Sequence, residues 1–513
     1  MRRSRWITWL LLLAQLAGCG PDPPDADLVP DAPGEHGDSD SPGAPDDSPD
    51  APSDADDALY VLYGKPAPTA DDPELFSKRV SIPRARVKQP SVVLAILDTV
   101  RADHLSACGY FRPTSRTLEG LVRRGARLTC RAYAPADWTL PSHASYFTGR
   151  PPAEHGAGWA APRPPGADPD AEAVQADGLH IHPLGPELPT LAEQMAVRGY
   201  QTVLVSANRL LTHGSGLRRG FQRAVSPPDS ADPRRPWVVA LLARELLLHV
   251  DPEKPLFLVL NILDAHDPWV ALPRELAWPG RAEAVLPPDR FATHFGAYPD
   301  GGLPADAVEA LRRQLADLYD HGVYRADAHL GLALALLEDA GWLARGSRVV
   351  VTADHGENLA EHGLVRHSLV YEGNARVPLL YWEVGGERPP EFPEPLSAMA
   401  AHALALEGGL PRQLPAVQSV SLPSASHFRT PEASAPGLAL WEGDEKVMFV
   451  AGGWRRFDLR RDPREERPLP VRSDDPRRVA LKATRAALEA SARRLPQASG
   501  RLVEQLRSLG YVR

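Results

Sequence analysis

Four stretches of the chain are short and almost continuously apolar: Ser91 to Leu97, Gln201 to Val205, Leu256 to Leu263 and Arg348 to Thr352. Runs of that length without polar alternation suit strands covered on both faces, as in a parallel sheet. Between them the apolar spacing becomes helical, over Leu118 to Arg124, Leu188 to Arg198, Arg234 to His249 and the long Asp306 to Leu343. Strand then helix, repeated, predicts an α/β fold with a mostly parallel central sheet flanked by helices. Beyond about Pro389 the pattern shortens. Leu438 to Trp441, Lys446 to Val450 and, after the Gly452-Gly453 turn, Trp454 to Leu459 read as an antiparallel meander. Helices over Pro476 to Arg494 and Gln497 to Ser508 close it. The spacing thus predicts a large α/β domain over 59–394 and a small C-terminal α+β subdomain with an antiparallel sheet over 395–513.

The first 58 residues do not fit this pattern. Arg2, Arg3 and Arg5 precede the apolar run Trp6 to Ala14. A run of roughly 10 to 14 residues is too short to span a bilayer and reads as the core of a secretory signal over 1–18. It ends Leu16-Ala17-Gly18-Cys19, which resembles a bacterial lipoprotein signal; the other reading is an ordinary cleaved signal with Cys19 incidental. The resemblance implies export, lipidation at Cys19 and a chain held to the membrane by that anchor without spanning it. Gly20 in place of Asp points to the outer membrane ahead of the inner. The segment 19–58 is nearly all Pro, Asp, Ala, Ser and Gly and is predicted to be a disordered acidic linker, since it has almost nothing to bury against its ordering entropy.

Charge changes the picture little. The net charge is −9, but Asp22 to Asp57 holds 13 acidic residues and no Lys or Arg. Without them the balance is +4, and without the three N-terminal Arg it is +1, so the folded body is near neutral and the acidity says nothing about its substrate. The Arg-rich helix over Arg478 to Arg494 is amphipathic and half solvated, and no nucleic-acid partner is expected. There is no Gly-rich nucleotide loop, no internal repeat and no C-x-x-C, so a zinc-thiolate centre is not expected. Cys108 and Cys130 either pair, as export would allow, or stand as two buried thiols.

In open α/β sheets ligands bind at the carboxyl ends of the strands. Each of the four runs ends there in a polar residue: Asp98, Asn208 after Ser206-Ala207, Asp264 with His266, and Asp354 with His355. A fifth candidate is Thr139 in Trp138-Thr139-Leu140-Pro141-Ser142-His143. A hydroxyl just before a Pro that can occupy a helix's first turn lies by free N–H groups that favour an anion. Asp98, Asp354, His355 and the Thr139 oxygen form a hard-to-borderline donor set for one divalent metal, with Mg, Mn, Ca and Zn not resolved. Thr139 is then the candidate nucleophile, its hydroxyl acidified by the metal.

These segments carry a family resemblance. Val93 to Leu105 with Asp98-Thr99, Thr139-Leu140-Pro141-Ser142-His143 with Thr148-Gly149, and Leu263-Asp264-Ala265-His266-Asp267-Pro268-Trp269 resemble the sulfatase family of the alkaline phosphatase superfamily. Thr352-Ala353-Asp354-His355-Gly356-Glu357 with Glu361-His362-Gly363, Trp454 to Glu465, and Leu506 to Val512 do so too. The resemblance implies a catalytic domain acting on sulfate or phosphate esters. Three departures stand out. Thr139 occupies the position of the Cys or Ser that becomes formylglycine, with His143 where the motif has Arg. Ser206-Ala207-Asn208-Arg209 stands where sulfatases carry Gly-Lys-Trp-His. Thr99 replaces a second Asp. A Thr ester of phosphate can be hydrolysed, or its group transferred, by in-line attack at phosphorus, so the Thr form resembles the superfamily's phosphotransferases and phosphodiesterases, with sulfate ester hydrolysis kept open.

Roles follow by position. Thr139 attacks, and Asp98, Asp354 and His355 hold the metal. His266 is the catalytic candidate for contacting the transferred group or protonating the leaving oxygen, His367 could also reach the anion, and His143, His362 and Asn208 are candidates for contacting substrate. Alternatively Asp264, His266 and His367 complete a second metal site, with Asp267 before Pro268 read as a turn former. The expected partner is an anionic ester, a glycan or lipid head group among the options. The competing reading is a non-catalytic surface lipoprotein that binds an anionic glycan or partner.

Overall fold

The computed structural model describes residues 83–492 apart from 88, 159, 163–178, 212–213, 228–236, 268, 270–304, 368, 423–436 and 451. The signal over 1–18, Cys19, the acidic linker and the helix expected over Gln497 to Ser508 lie outside the described residues, as do most of the Pro-rich loops near 162–183 and 273–304. Among the described residues no helix is long and apolar enough to cross a membrane.

Eight strands form the principal sheet: β1 (Val92–Leu97), β2 (Arg127–Tyr133), β3 (Gln201–Ser206), β4 (Arg223–Val225), β5 (Leu256–Ile262), β6 (Arg348–Thr352), β7 (Arg376–Glu383) and β8 (Leu396–Ser397). Their order is β8-β2-β7-β6-β1-β5-β3-β4. The four apolar runs became β1, β3, β5 and β6, mutually parallel at the centre. β7 runs antiparallel to both β6 and β2, so the sheet is mixed but mostly parallel. Every residue of β1, β3 and β5 is buried, which is why these strands show no polar alternation.

The helices that matter here are α1 (Arg116–Arg123), α2 (Thr139–Thr148), α3 (Leu191–Val197), α4 (Trp237–Leu248), the 35-residue α5 (Ala305–Asp339), α6 (Ala400–Glu407) and α7 (Pro476–Ala492). α3 begins with a full capping box, the Thr190 hydroxyl accepting from Glu193 N–H while the Glu193 carboxylate accepts from Thr190 N–H.

The small antiparallel sheet is β9 (Gln418–Ser421), β10 (Gly437–Glu442), β11 (Glu445–Val450) and β12 (Gly453–Asp458), in that order. It starts later than a boundary at 395 would have it: Leu396–Ser397 pairs with β2 in the principal sheet. Cys108 and Cys130 are joined in a disulfide with Cα atoms 5.7 Å apart, which settles the alternative left open by the sequence.

Candidate active site

The polar residues that close the central strands meet at one end of the sheet. Asp98 follows directly on β1, and the chain turns away through Thr99 in the left-handed region, φ 60°. That bend lets Thr99 N–H donate to Asp354 Oδ1 at 3.1 Å, and His355 N–H donates to the same oxygen at 3.0 Å. Asp98 Oδ2 accepts from Asn261 Nδ2 at 2.9 Å and from Asn208 Nδ2 at 3.2 Å. The same Asn208 amide donates to Thr139 Oγ1 at 3.4 Å, so a single amide bridges the candidate nucleophile and the candidate ligand. Asn208, expected to touch substrate, is almost fully buried and serves the two side chains instead.

Asp98, Asp354 and His355 each bring one ligand atom into a group whose atoms lie within 4.8 Å of one another, and all three are wholly buried. His355 Nδ1 donates to the Gly356 carbonyl at 2.9 Å, which leaves the Nε2 lone pair facing inward. Asp98 Oδ1 and His355 Nε2 have no hydrogen-bond partner among the described residues. Buried polar atoms of this kind are rare unless something binds them, so a divalent cation fits this donor set. Burial, and then the neighbouring Asp354, pushes Asp98 up to about 6, and burial does the same to Asp354, against which the Thr139 hydroxyl is one of the groups acting. Burial pulls His355 down to about 4, keeping it neutral and able to ligate.

A second group adjoins the first. His266, Asp267 and His367 also bring ligand atoms within 4.8 Å of one another. The His266 and His367 rings are 5.1 Å apart, and those of His355 and His367 are 4.7 Å apart. Asp264 is not in it: its two oxygens are held by Arg325 and by His329 Nδ1, each at 2.9 Å. Its carboxylate is turned to α5, and Asp267, expected to be a turn former, takes its place beside His266. The structure also places His362 and His143. His362 is exposed and stacks on Tyr371 with centroids 3.9 Å apart, on the wall of a cavity of about 1000 Å³ whose lining includes none of Thr139, Asp98, Asp354 and His355. His143 is wholly buried, its Nδ1 donating to the Thr139 carbonyl at 2.9 Å and lying 3.6 Å from Asp354 Oδ2. Burial pulls it down to about 3. A neutral ring packed behind Asp354 is no substitute for the Arg of the motif.

The segment that carries Thr139 is fixed by residues far along the chain. Asp137, two residues before Thr139, is buried and accepts from Leu369 N–H at 3.1 Å, Ser421 Oγ at 2.5 Å and Leu422 N–H at 3.2 Å. Its own N–H donates to the Val420 carbonyl at 3.1 Å. Sequence reasoning missed Asp137, Asn261 and Glu357. Only Asn261 left a signal, as the one polar residue in the run Leu256 to Leu263.

The sulfatase family model matches residues 90–405, more than half of the chain. The chain belongs to the sulfatase family. Among curated proteins it is similar to an arylsulfatase of Clostridium perfringens (strain 13 / Type A), 25% identical over 174 residues, 29% of this chain and 32% of that protein. The chain thus matches about a third of that relative's length. Its fold is similar to the phosphonate monoester hydrolase of Agrobacterium radiobacter, with TM-score 0.52 and 18% identity over 79% of this chain and 95% of that one. It is also similar to a protein solved with its substrate D-glucosamine-2-N,6-O-disulfate, with TM-score 0.54 and 16% identity over 79% of this chain and 99% of that one. At such identities the two structures speak for the fold alone.

Proposed function

We propose that this sulfatase-family chain is a metal-dependent hydrolase or transferase of phosphate-type esters, with sulfate esters the second choice, acting through Thr139. The observation that carries the reading is the Asn208 amide shared between Thr139 Oγ1 and Asp98 Oδ2, beside Asp354 and His355. A binding protein would have no need to set a hydroxyl against a complete cation site.

Asp98, Asp354 and His355, with the Thr139 oxygen, would hold one divalent cation. When bound it would acidify the Thr139 hydroxyl and polarise the ester. Thr139 Oγ gives up its proton to water and bonds to phosphorus while the P–O ester bond breaks on the opposite side, the departing oxygen taking a proton from His266 or from water, which gives a Thr139 phosphoester. Water, or an acceptor alcohol, then attacks that phosphorus and restores the hydroxyl. Asn208 keeps Thr139 aimed, and His266 and His367 face the transferred group's outer oxygens. The neutral, enclosed His143 and the absence of a formylglycine precursor favour phosphorus over sulfur. The substrate class is an anionic ester on a glycan or a lipid head group. The chain works outside the cytoplasm, lipid-anchored through Cys19 in the cell envelope, on the outer membrane ahead of the inner; the Cys108–Cys130 disulfide supports export.

The test is turnover by the purified, manganese-loaded protein of p-nitrophenyl phosphate, bis(p-nitrophenyl) phosphate, p-nitrophenyl phenylphosphonate and p-nitrophenyl sulfate, beside Thr139→Ala. Hydrolysis of a phosphorus ester that disappears in the variant is expected. Manganese binding with no turnover of any ester would instead mark a non-catalytic lipoprotein.

A further inference from the structure

We propose that Arg366 is a positioning residue: it ties down Asp267 and thereby holds His266 where the imidazole hands a proton to the departing oxygen. The inference rests on the proposed ester chemistry and takes it one step further, choosing His266 over water as the proton donor.

Three observations carry it. Arg366 Nη2 lies 2.6 Å from Asp267 Oδ2, and the two side chains are 23% and 12% exposed, so the pair is largely shielded from the water that weakens surface pairs. Asp267 in turn governs His266. Its carbonyl oxygen accepts from His266 Nδ1 at 2.5 Å, and its Oδ1 lies 3.5 Å from the same nitrogen, which assigns the proton that is given up to Nε2. Earlier in the same turn, Asp264 is held by Arg325 and His329. The imidazole thus stands between two carboxylates, each anchored by a guanidinium.

The third observation is the backbone of Arg366, whose φ of 64° lies in the left-handed region that side chains other than glycine rarely adopt. Two contacts keep it there: Arg366 pairs in register with Asn358, and its carbonyl accepts from Asn358 Nδ2 at 2.8 Å. Strain maintained by its surroundings beside a reacting centre points to a side chain with a task there. Without that guanidinium, the Asp267 carboxylate can swing onto His266 Nδ1 and turn the ring. In the step itself the electron pair of the breaking P–O bond stays with oxygen, which takes the Nε2 proton. The neutral ring regains a proton from the water that later attacks the Thr139 phosphoester.

The experiment compares kcat/KM of the full, manganese-loaded protein for p-nitrophenyl phenylphosphonate and phenyl phenylphosphonate. Both transfer the same group, but p-nitrophenolate leaves readily as the anion and phenolate needs the proton. Arg366→Gln should lower the phenyl ester by roughly 100-fold and the p-nitrophenyl ester by less than about 5-fold. His266→Gln should show the same imbalance, and Arg366→Lys should recover part of it. An equal loss on both esters would mean that Arg366 meets the anion itself or only supports the fold, and would overturn the inference. Crystal structures of the wild type and Arg366→Gln give a readout without turnover: a released Asp267 and a turned His266 ring are expected, and an unmoved ring would overturn the inference too. Should neither ester be hydrolysed, or should hydrolysis survive Thr139→Ala, the proposed function falls, and the crystal structures alone decide whether Arg366 holds His266.

Discussion

Replacing Asp137 by Ala tests whether the segment that carries Thr139 is held by a protonated or an ionised carboxyl. The substitution leaves two backbone N–H groups and the Ser421 hydroxyl buried without their acceptor. At roughly 1 kcal/mol or more each, the loss is roughly 3 kcal/mol. Against this, burial pushes the Asp137 pKa up from 3.8 to about 7. The folded protein therefore keeps a proton that the unfolded chain has released. The wild type's stability then falls as pH rises from 3.8 through about 7, and the part of that fall above about pH 5 is roughly 3 kcal/mol. Asp137→Ala should accordingly cost roughly 3 kcal/mol near pH 5 and close to nothing near pH 8.5. Urea unfolding followed by tryptophan fluorescence at the two pH values measures both numbers. A cost that grows with pH would mean the carboxylate is ionised and stabilising in the fold, and the reasoning from burial would be wrong. Turnover should fall at both pH values, because Thr139 loses its anchor two residues upstream.

Thr139→Ala should lower turnover by at least about 10³-fold while Mn²⁺ affinity stays within about 10-fold, as measured by ester hydrolysis and calorimetry. Because Asp98 and Asp354 hold protons up to about pH 6, cation binding must displace them. Affinity for the cation should rise with pH up to about 6 and level off above it; a flat profile from about pH 4.5 to 8 would count against the burial of these carboxyls. His143→Arg should not restore the motif's anion clamp. It would place a charge where the ring is wholly buried, and a loss of several kcal/mol in melts, or failure to fold, is expected. Lys446 is wholly buried, donating to the Val370 carbonyl at 2.6 Å and to Glu465 at 2.5 Å; Lys446→Met should cost roughly 3 to 5 kcal/mol in urea unfolding by stranding Glu465.

The central strands were legible because burial on both faces leaves an unbroken apolar run, and their polar ends marked the site. The flank of the sheet was not. β2 reads Arg-Leu-Thr-Cys-Arg-Ala-Tyr, and its two half-buried Arg pair with Glu391 and Asp444, so the strand shows no unbroken apolar run. β7 carries Pro378 at a register shift against β2, between Val377 and Leu379, where a missing N–H costs the ladder nothing. At the site, the four side chains named from the sequence do converge. Asp264 was misjudged because its partners Arg325 and His329 lie on α5, more than sixty residues downstream, and no spacing rule reaches that far. Glu357 reads in sequence as the tail of a motif, and its full burial is visible only in the fold.

The cross-link between Cys108 and Cys130 bears on how the chain reaches its final form. Three thiols permit three different single pairings, and two of those involve Cys19. If Cys19 carries its lipid as a thioether before oxidation begins, both wrong pairings vanish and one remains. Lipidation would then do two jobs, mooring the protein and leaving the oxidising machinery a single choice, so that a chain exported with Cys19 unlipidated should accumulate mispaired species that the anchored one never forms.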